Sequence, residues 1–283
     1  KEALGWSIGW VAMAMAFNAW LWWYVGREAG EVVGNRVALE FLTGYLVEKS
    51  LAVDNIFVFL MLFTYFAVPA EFQKRVLMIG ILGALVLRAV MILVGAWLIA
   101  QFHWILYVFG IFLVLTGIKM LIAAGKSPDL EKNPALKWMR GHLPLTKDYH
   151  GNDFIVKIAG KRWYTPLFVV IVLIAVTDLI FAVDSIPAIF AITKDPFIVL
   201  TSNVFAVLGL RAMFFLLAGM ADRFHLLPYG LAAVLIFIGA KMLLIDVYKI
   251  PVLVSLGVVV AILAITMVWS LKTAPKIEIK GDL

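Results

Sequence analysis

The sequence predicts an all-α, polytopic membrane protein, and three observations carry that prediction. Hydrophobic residues make up 64% of the 283 positions and mean hydropathy is +1.02, more apolar surface than a water-soluble domain of this size can hide. Apolar runs of about 20 residues or more, enough to cross about 30 Å of hydrocarbon, recur along the chain. The charged residues, only 15% of the total, lie mostly between those runs.

Eight runs are expected as spans, near 6–25, 39–66, 76–101, 104–124, 166–193, 198–221, 227–248 and 251–271. They divide the chain into an N-terminal helix and loop (1–38), a group of three helices (39–124), a polar connection (125–165), a second group of three (166–248) and a last helix with its tail (249–283). In the connection, Asn133-Pro134 followed by Ala135 to Leu143 predicts a capped amphipathic helix, with Trp138 and Met139 available for the membrane interface. Asp153 to Ile158, Ala159-Gly160 and Lys161 to Tyr164 predict a small hairpin. Loop lysines and arginines number 15 on the side holding this connection and 4 on the other, so the connection and the C-terminus are expected to be cytoplasmic.

The net charge of +6 does not form a basic stripe, which argues against nucleic acid and for orientation in a bilayer. With no cysteine, disulfides and thiolate metal sites are excluded from the chain itself. The four histidines, His103, His142, His150 and His225, fall in loops or at helix ends, where they read as interfacial or solvated.

One stretch occurs twice. Glu48-Lys49-Ser50-Leu51-Ala52-Val53-Asp54-Asn55 is matched 130 residues later by Asp178-Leu179-Ile180-Phe181-Ala182-Val183-Asp184-Ser185. Leu87-Arg88-Ala89 recurs as Leu210-Arg211-Ala212, and Gly117-Ile118-Lys119 as Gly239-Ala240-Lys241. Three features in one order at nearly constant spacing imply a duplicated unit. Because each unit would hold three helices, the second enters the membrane in the opposite direction, an inverted repeat of the kind secondary transporters use.

The acidic pairs fall midway along their runs, where an ionised side chain costs at least about 2.5–3.5 kcal/mol, so a compensating partner is expected. Positions seven apart nearly coincide around a helix, so Glu48 shares a face with Asn55 and Asp178 with Ser185. Asp54 and Asp184 point aside unless the helix opens. Pro187, which cannot donate to the Val183 carbonyl, is the expected place for such an opening. Carboxylates, an amide and a hydroxyl form an all-oxygen set suited to a hard divalent ion such as Mn²⁺, Mg²⁺ or Ca²⁺. Met120 and Met242 read as packing. The embedded bases Arg88, Lys119, Arg211 and Lys241, with Lys49, have two readings: permanent salt bridges to the acids, or counter-ions that hold the carboxylates until a metal enters. Glu40 and Asp246, at run ends, are expected to be solvated.

At these motifs the sequence resembles the TerC family of bacterial integral membrane proteins, in particular its Alx-like branch. The resemblance lies in Phe41-Leu42-Thr43-Gly44-Tyr45 through Asn55, Phe181 to Ala188, and Asp195-Pro196-Phe197 through Asn203 to Arg211. It implies manganese export, within a wider group of three-helix-repeat exporters similar to LysE. Glu48, Asp54, Asn55, Asp178, Asp184 and Ser185 are then the metal-site residues. It also implies one further helix ahead of the first run, which fits a chain beginning at Lys1.

The expected function is therefore efflux of divalent cations across the bacterial inner membrane by alternating access, coupled to protons or another cation. Mn²⁺ is the transported substrate rather than a resident cofactor, and lipid is the other partner. The alternative is a non-transporting stress or redox modulator, a scaffold, or a tellurite-resistance component, the redox and tellurite labels following from the resemblance alone. A membrane protease built on the paired aspartates would need a Gly-x-Gly-Asp setting that neither copy has.

Overall fold

The computed structural model describes residues 2–123, 133–217 and 225–273, and of Val53, Asp54 and Phe57 the backbone only. Helix α1 (Glu2–Ala29) leads into α2 (Glu31–Tyr65), α3 (Ala70–Gln101) and α4 (Ile105–Ala123). A connector follows with α5 (Pro134–His142), β1 (Ile155–Ile158) and β2 (Lys161–Tyr164). Then come α6 (Pro166–Phe190), α7 (Pro196–Leu208), α8 (Leu210–Leu217), α9 (Leu227–Leu243) and α10 (Val252–Thr273). Proline opens α5, α6 and α7, where its missing N–H is no loss, and Asn133 and Asp195 cap the first turns of α5 and α7 with side-chain oxygens.

Among the described residues six helices are long and apolar enough to cross a membrane: α1, α3, α4, α6, α10, and α7 with α8 taken together. Helix α2 has 35 residues but carries charges along its length, and α9 has 17 residues. Large apolar side chains such as Trp6, Trp23, Val86, Leu93, Trp97, Ile122 and Trp269 face outward, as a lipid-facing surface requires.

Two expectations about the helices are corrected. The stretch up to residue 38 is not a loop: α1 and α2 are joined by Gly30 alone. Its φ of +95° suits glycine, and the helices then lie so close that a Cβ on Gly34 would come within 2.7 Å of the Gly26 Cα. Helix α6 runs unbroken through Pro187. The interruption comes instead at Gly209, between α7 and α8. Residue 124, the 125–132 segment, the end of the run expected to reach 221, Arg223 and the C-terminal tail lie outside the described residues.

The connector docks onto one end of the bundle. Leu136 and Met139 are buried in an apolar cluster with Phe63, Phe72, Leu77 and Val170, so Met139 serves the core and only Trp138 remains outside. The Tyr149 hydroxyl donates to the Phe66 carbonyl at 2.5 Å, and Arg75 donates to the Asn152 carbonyl at 3.0 Å. The hairpin turns at Ala159 and Gly160, both with positive φ, as a two-residue turn between right-twisted strands demands.

The two groups of helices interlock. Helix α2 packs on α7 and α3 on α6. Helices α4 and α9 cross antiparallel at their glycines: a Cβ on Gly239 would meet the Gly110 carbonyl oxygen at 2.8 Å, and one on Gly117 the Ala232 carbonyl oxygen at 2.9 Å.

Candidate functional site

Helices α2, α3 and α6 meet at a polar cluster inside the apolar bundle. Arg88 lies on the buried stripe of α3, with Gly80, Ala84, Ile92 and Gly95 at spacings of three and four. The glycines bring α3 close to α6: a Cβ on Gly80 would sit 3.0 Å from Ile174, and one on Gly95 would sit 2.9 Å from the Phe190 ring. That approach sets the guanidinium against Asp178, which it grips with two prongs, Nε to Oδ2 at 3.1 Å and Nη2 to Oδ1 at 2.8 Å. Its third nitrogen, Nη1, donates to Glu48 Oε1 on α2. Asn55, with its amide turned so that both ends are paired, accepts from Arg88 Nη2 at 3.2 Å and donates to the Leu51 carbonyl at 3.2 Å.

All of these groups are buried, Glu48 at 0% exposure, Arg88 and Asn55 at 1% and Asp178 at 2%. The face shared by Glu48 and Asn55, and by Asp178 and Ser185, is the one turned inward, as the seven-residue spacing requires. Two carboxylates against one guanidinium leave a formal charge of −1 when all three are ionised. Glu48 Oε2 and the Ser185 hydroxyl have no hydrogen-bond partner among the described residues. The cluster thus holds a cation and still has oxygen donors to spare.

The other expected site residues are placed elsewhere. Asp184 is half-buried and faces α4, beside the Thr116 hydroxyl and Lys119, as its azimuth on α6 dictates. Lys241 is half-buried near Glu40, and Arg211 is exposed. Lys49 turns away from the cluster, donating to the Ala206 carbonyl of α7 at 3.2 Å. The Asp54 side chain lies outside the description. Among the described residues no three acidic or histidine side chains converge as a metal cage, because Arg88 fills the space between the two carboxylates.

Sequence reasoning missed a cavity of about 460 Å³ at the end of the bundle opposite the connector, lined by Arg36, Glu40, His103, Thr193, Lys241 and Asp246 among others. Glu40, expected to be solvated, has a side chain only 14% exposed and lies 3.8 Å from Arg36. It lies eight residues along α2, or about 12 Å, from Glu48. Asp246 is exposed and accepts from the Tyr107 hydroxyl. Run-end position alone could not separate these two fates, since what surrounds Glu40, Thr193 just past α6 and Lys241 of α9, is brought there by the fold.

Comparison with known proteins agrees with this architecture. The model of the "Integral membrane protein TerC family" matches residues 33–276. The chain is 57% identical over 268 residues to the Alx proteins of Salmonella typhi and of Escherichia coli (strain K12), whose name proposes a membrane-bound redox modulator. That match covers 95% of this chain and 83% and 84% of theirs. An uncharacterized membrane protein of Myxococcus xanthus, STKORF319, is 49% identical over 271 residues, 96% of this chain and 82% of its own. No solved structure matches. The chain belongs to the integral membrane protein TerC family.

Proposed function

We propose that this chain exports divalent metal cations, Mn²⁺ foremost, across the bacterial inner membrane by alternating access, in exchange for protons or another cation. In this reading the connector and the C-terminus face the cytoplasm, and two inverted three-helix units, 39–124 and 166–248, rock about a site between them. The observation that carries it is Arg88, a cation clamped between carboxylates from both units where lipid-embedded charge is most costly. The guanidinium stands where a divalent ion would, and the ion displaces it. Glu48, Asn55, Asp178 and Ser185 then offer oxygens, with Asp54 and Asp184 completing the set as α2 and α6 turn. The antiparallel α4–α9 crossing, with Gly110–Gly239 and Gly117–Ala232 as matched contacts, supports the inverted arrangement.

Coupling is an energetic need. Moving one charge against 100 mV costs about 2.3 kcal/mol, so a divalent ion costs about 4.6 kcal/mol before any concentration gradient. Carboxylates that take either metal or protons provide the exchange, and Arg88 keeps the site neutralised in part between loads. A thiol-based redox role has no residue here to carry it, since the chain has no cysteine.

The test is calorimetric Mn²⁺ binding to the purified chain, with Mg²⁺ as competitor, beside Mn²⁺ flux in proteoliposomes under an imposed pH gradient. Asp178→Asn should weaken binding at least about tenfold, or about 1.4 kcal/mol. Binding that is absent in the wild type, or unchanged in the variant, refutes the site. Flux indifferent to the pH gradient refutes proton coupling.

A further inference from the structure

We propose that Arg211 is the alternate occupant of the Glu48–Asp178 site, taking the place of Arg88 when the two units trade conformations. Lys49 is the latch that holds Arg211 out in the state seen here. The proposal rests on the inverted-repeat exporter reading above.

The paired motifs map Arg88 onto Arg211 and Glu48 onto Asp178. Packing follows the same map: α2 on α7 is the image of α6 on α3, and the Gly110–Gly239 contact is the image of Ala232–Gly117. Under this exchange the two carboxylates swap with each other, so the pair maps onto itself. The arginine does not. Arg88 is 1% exposed and takes three of the four carboxylate oxygens, whereas Arg211 is exposed. One oxygen, Glu48 Oε2, is too little for a second guanidinium, so the two arginines exclude each other.

The symmetry is broken at one place on the backbone. Helix α3 runs for 32 residues through Val86 and Arg88, while its image is interrupted at Gly209, two residues before Arg211. Gly209 has ψ −6°, so only a rotation of about 36° separates it from regular helix near −42°. Lys49 sits in this break. Its ammonium donates to the Ala206 carbonyl at 3.2 Å, near the negative end of α7, and fills the space a Cβ on residue 209 would need. The corresponding positions in the other unit, Leu179 and Val86, cannot form such a latch. Release of Lys49 lets α7 and α8 straighten and carries Arg211 toward the carboxylates as Arg88 leaves. Each unit thereby supplies its own stand-in cation, and the dicarboxylate is not left bare in either state.

The cysteine-free chain allows a direct test by pulsed electron resonance on the purified, metal-free protein. Spin labels go on Phe215→Cys in α8 and Trp138→Cys in α5, both exposed positions. Lys49→Met, which uncovers no buried carboxylate, should raise a second label–label distance severalfold in population over the unmodified background. Arg88→Gln should raise the same distance. Adding Arg211→Gln should abolish it in either variant. An unchanged distribution in folded Lys49→Met, or a second distance that persists without Arg211, overturns the proposal. If Arg88→Gln does not fold, the Lys49→Met pair decides alone. Because no metal enters this experiment, failure of Mn²⁺ binding would remove the exporter reading without altering the distance result.

Discussion

Arg88 on α3 and Asp178 on α6, 90 residues apart in sequence, form a buried two-pronged ion pair with N–O distances of 3.1 and 2.8 Å. Glu48 shares the same guanidinium from α2, so one side chain ties three helices from both halves of the molecule. Such a pair is geometrically specific, because the planar guanidinium fork matches a carboxylate edge and an ammonium does not. It is also a point of stress, since each member depends on the other to be tolerated inside.

With Arg211→Gln present to remove the alternate cation, Arg88→Gln should therefore destabilise the protein by about 3–5 kcal/mol, the cost of leaving buried carboxylates without their cation. The midpoint of thermal unfolding in detergent reads this. Arg88→Lys should fall between the two, restoring charge but not the two-pronged contact. Adding Glu48→Gln and Asp178→Asn to Arg88→Gln should recover most of the loss, because the desolvated charges then disappear together. No recovery would show that Arg88 acts by filling space.

The two aspartates of α6 should separate stability from transport. Asp178 carries an ion pair and Asp184 is half-buried beside Thr116 and Lys119. Asp178→Asn should lower both thermal stability and cellular Mn²⁺ tolerance. Asp184→Asn should lower tolerance while shifting the unfolding midpoint little. Growth on graded Mn²⁺ together with unfolding curves measures both. Unchanged tolerance in each variant would favour a non-transporting scaffold.

Close helix contact at α4–α9 predicts a sharp contrast between glycines. In Gly239→Ala the new methyl would meet the Gly110 carbonyl oxygen at 2.8 Å and the Val114 backbone nitrogen at 2.9 Å, and backbone cannot step aside. A loss of about 1–3 kcal/mol is expected. Gly83→Ala in α3 meets nothing within 4 Å and should gain about 0.5–1 kcal/mol from helix propensity. Parallel unfolding of the two variants provides the comparison.

The connector should loosen in alkali. Burial pushes the Tyr149 phenol above its ordinary value near 10, so the docked state keeps a proton that the undocked state gives up first. Docking stability is then fully present below about pH 10 and declines as pH rises past it. Limited proteolysis of residues 143–154 across that range should show faster cleavage above pH 10. Tyr149→Phe should flatten the rise, though it also forfeits the hydrogen bond to Phe66.

Sequence alone determined the class of the protein and the inner faces of its key helices. Hydropathy is additive along the chain, so spans could be read from composition. Seven-residue spacing put Glu48 with Asn55 and Asp178 with Ser185 on one side, because helix periodicity is a local property. The capped connector helix and the hairpin at Ala159-Gly160 followed from local turn and cap chemistry in the same way.

Only the tertiary structure decided which basic residue meets which acid. Five embedded bases were candidates in the sequence, yet Arg88 alone among the described residues pairs with Glu48 and Asp178, because glycines at 80 and 95 bring α3 against α6. Arg211, its match in the motif, is exposed, two residues past the break at Gly209 beside which the Lys49 ammonium of α2 sits. Contacts between residues 90 or 157 positions apart depend on how helices cross, and no local pattern encodes that.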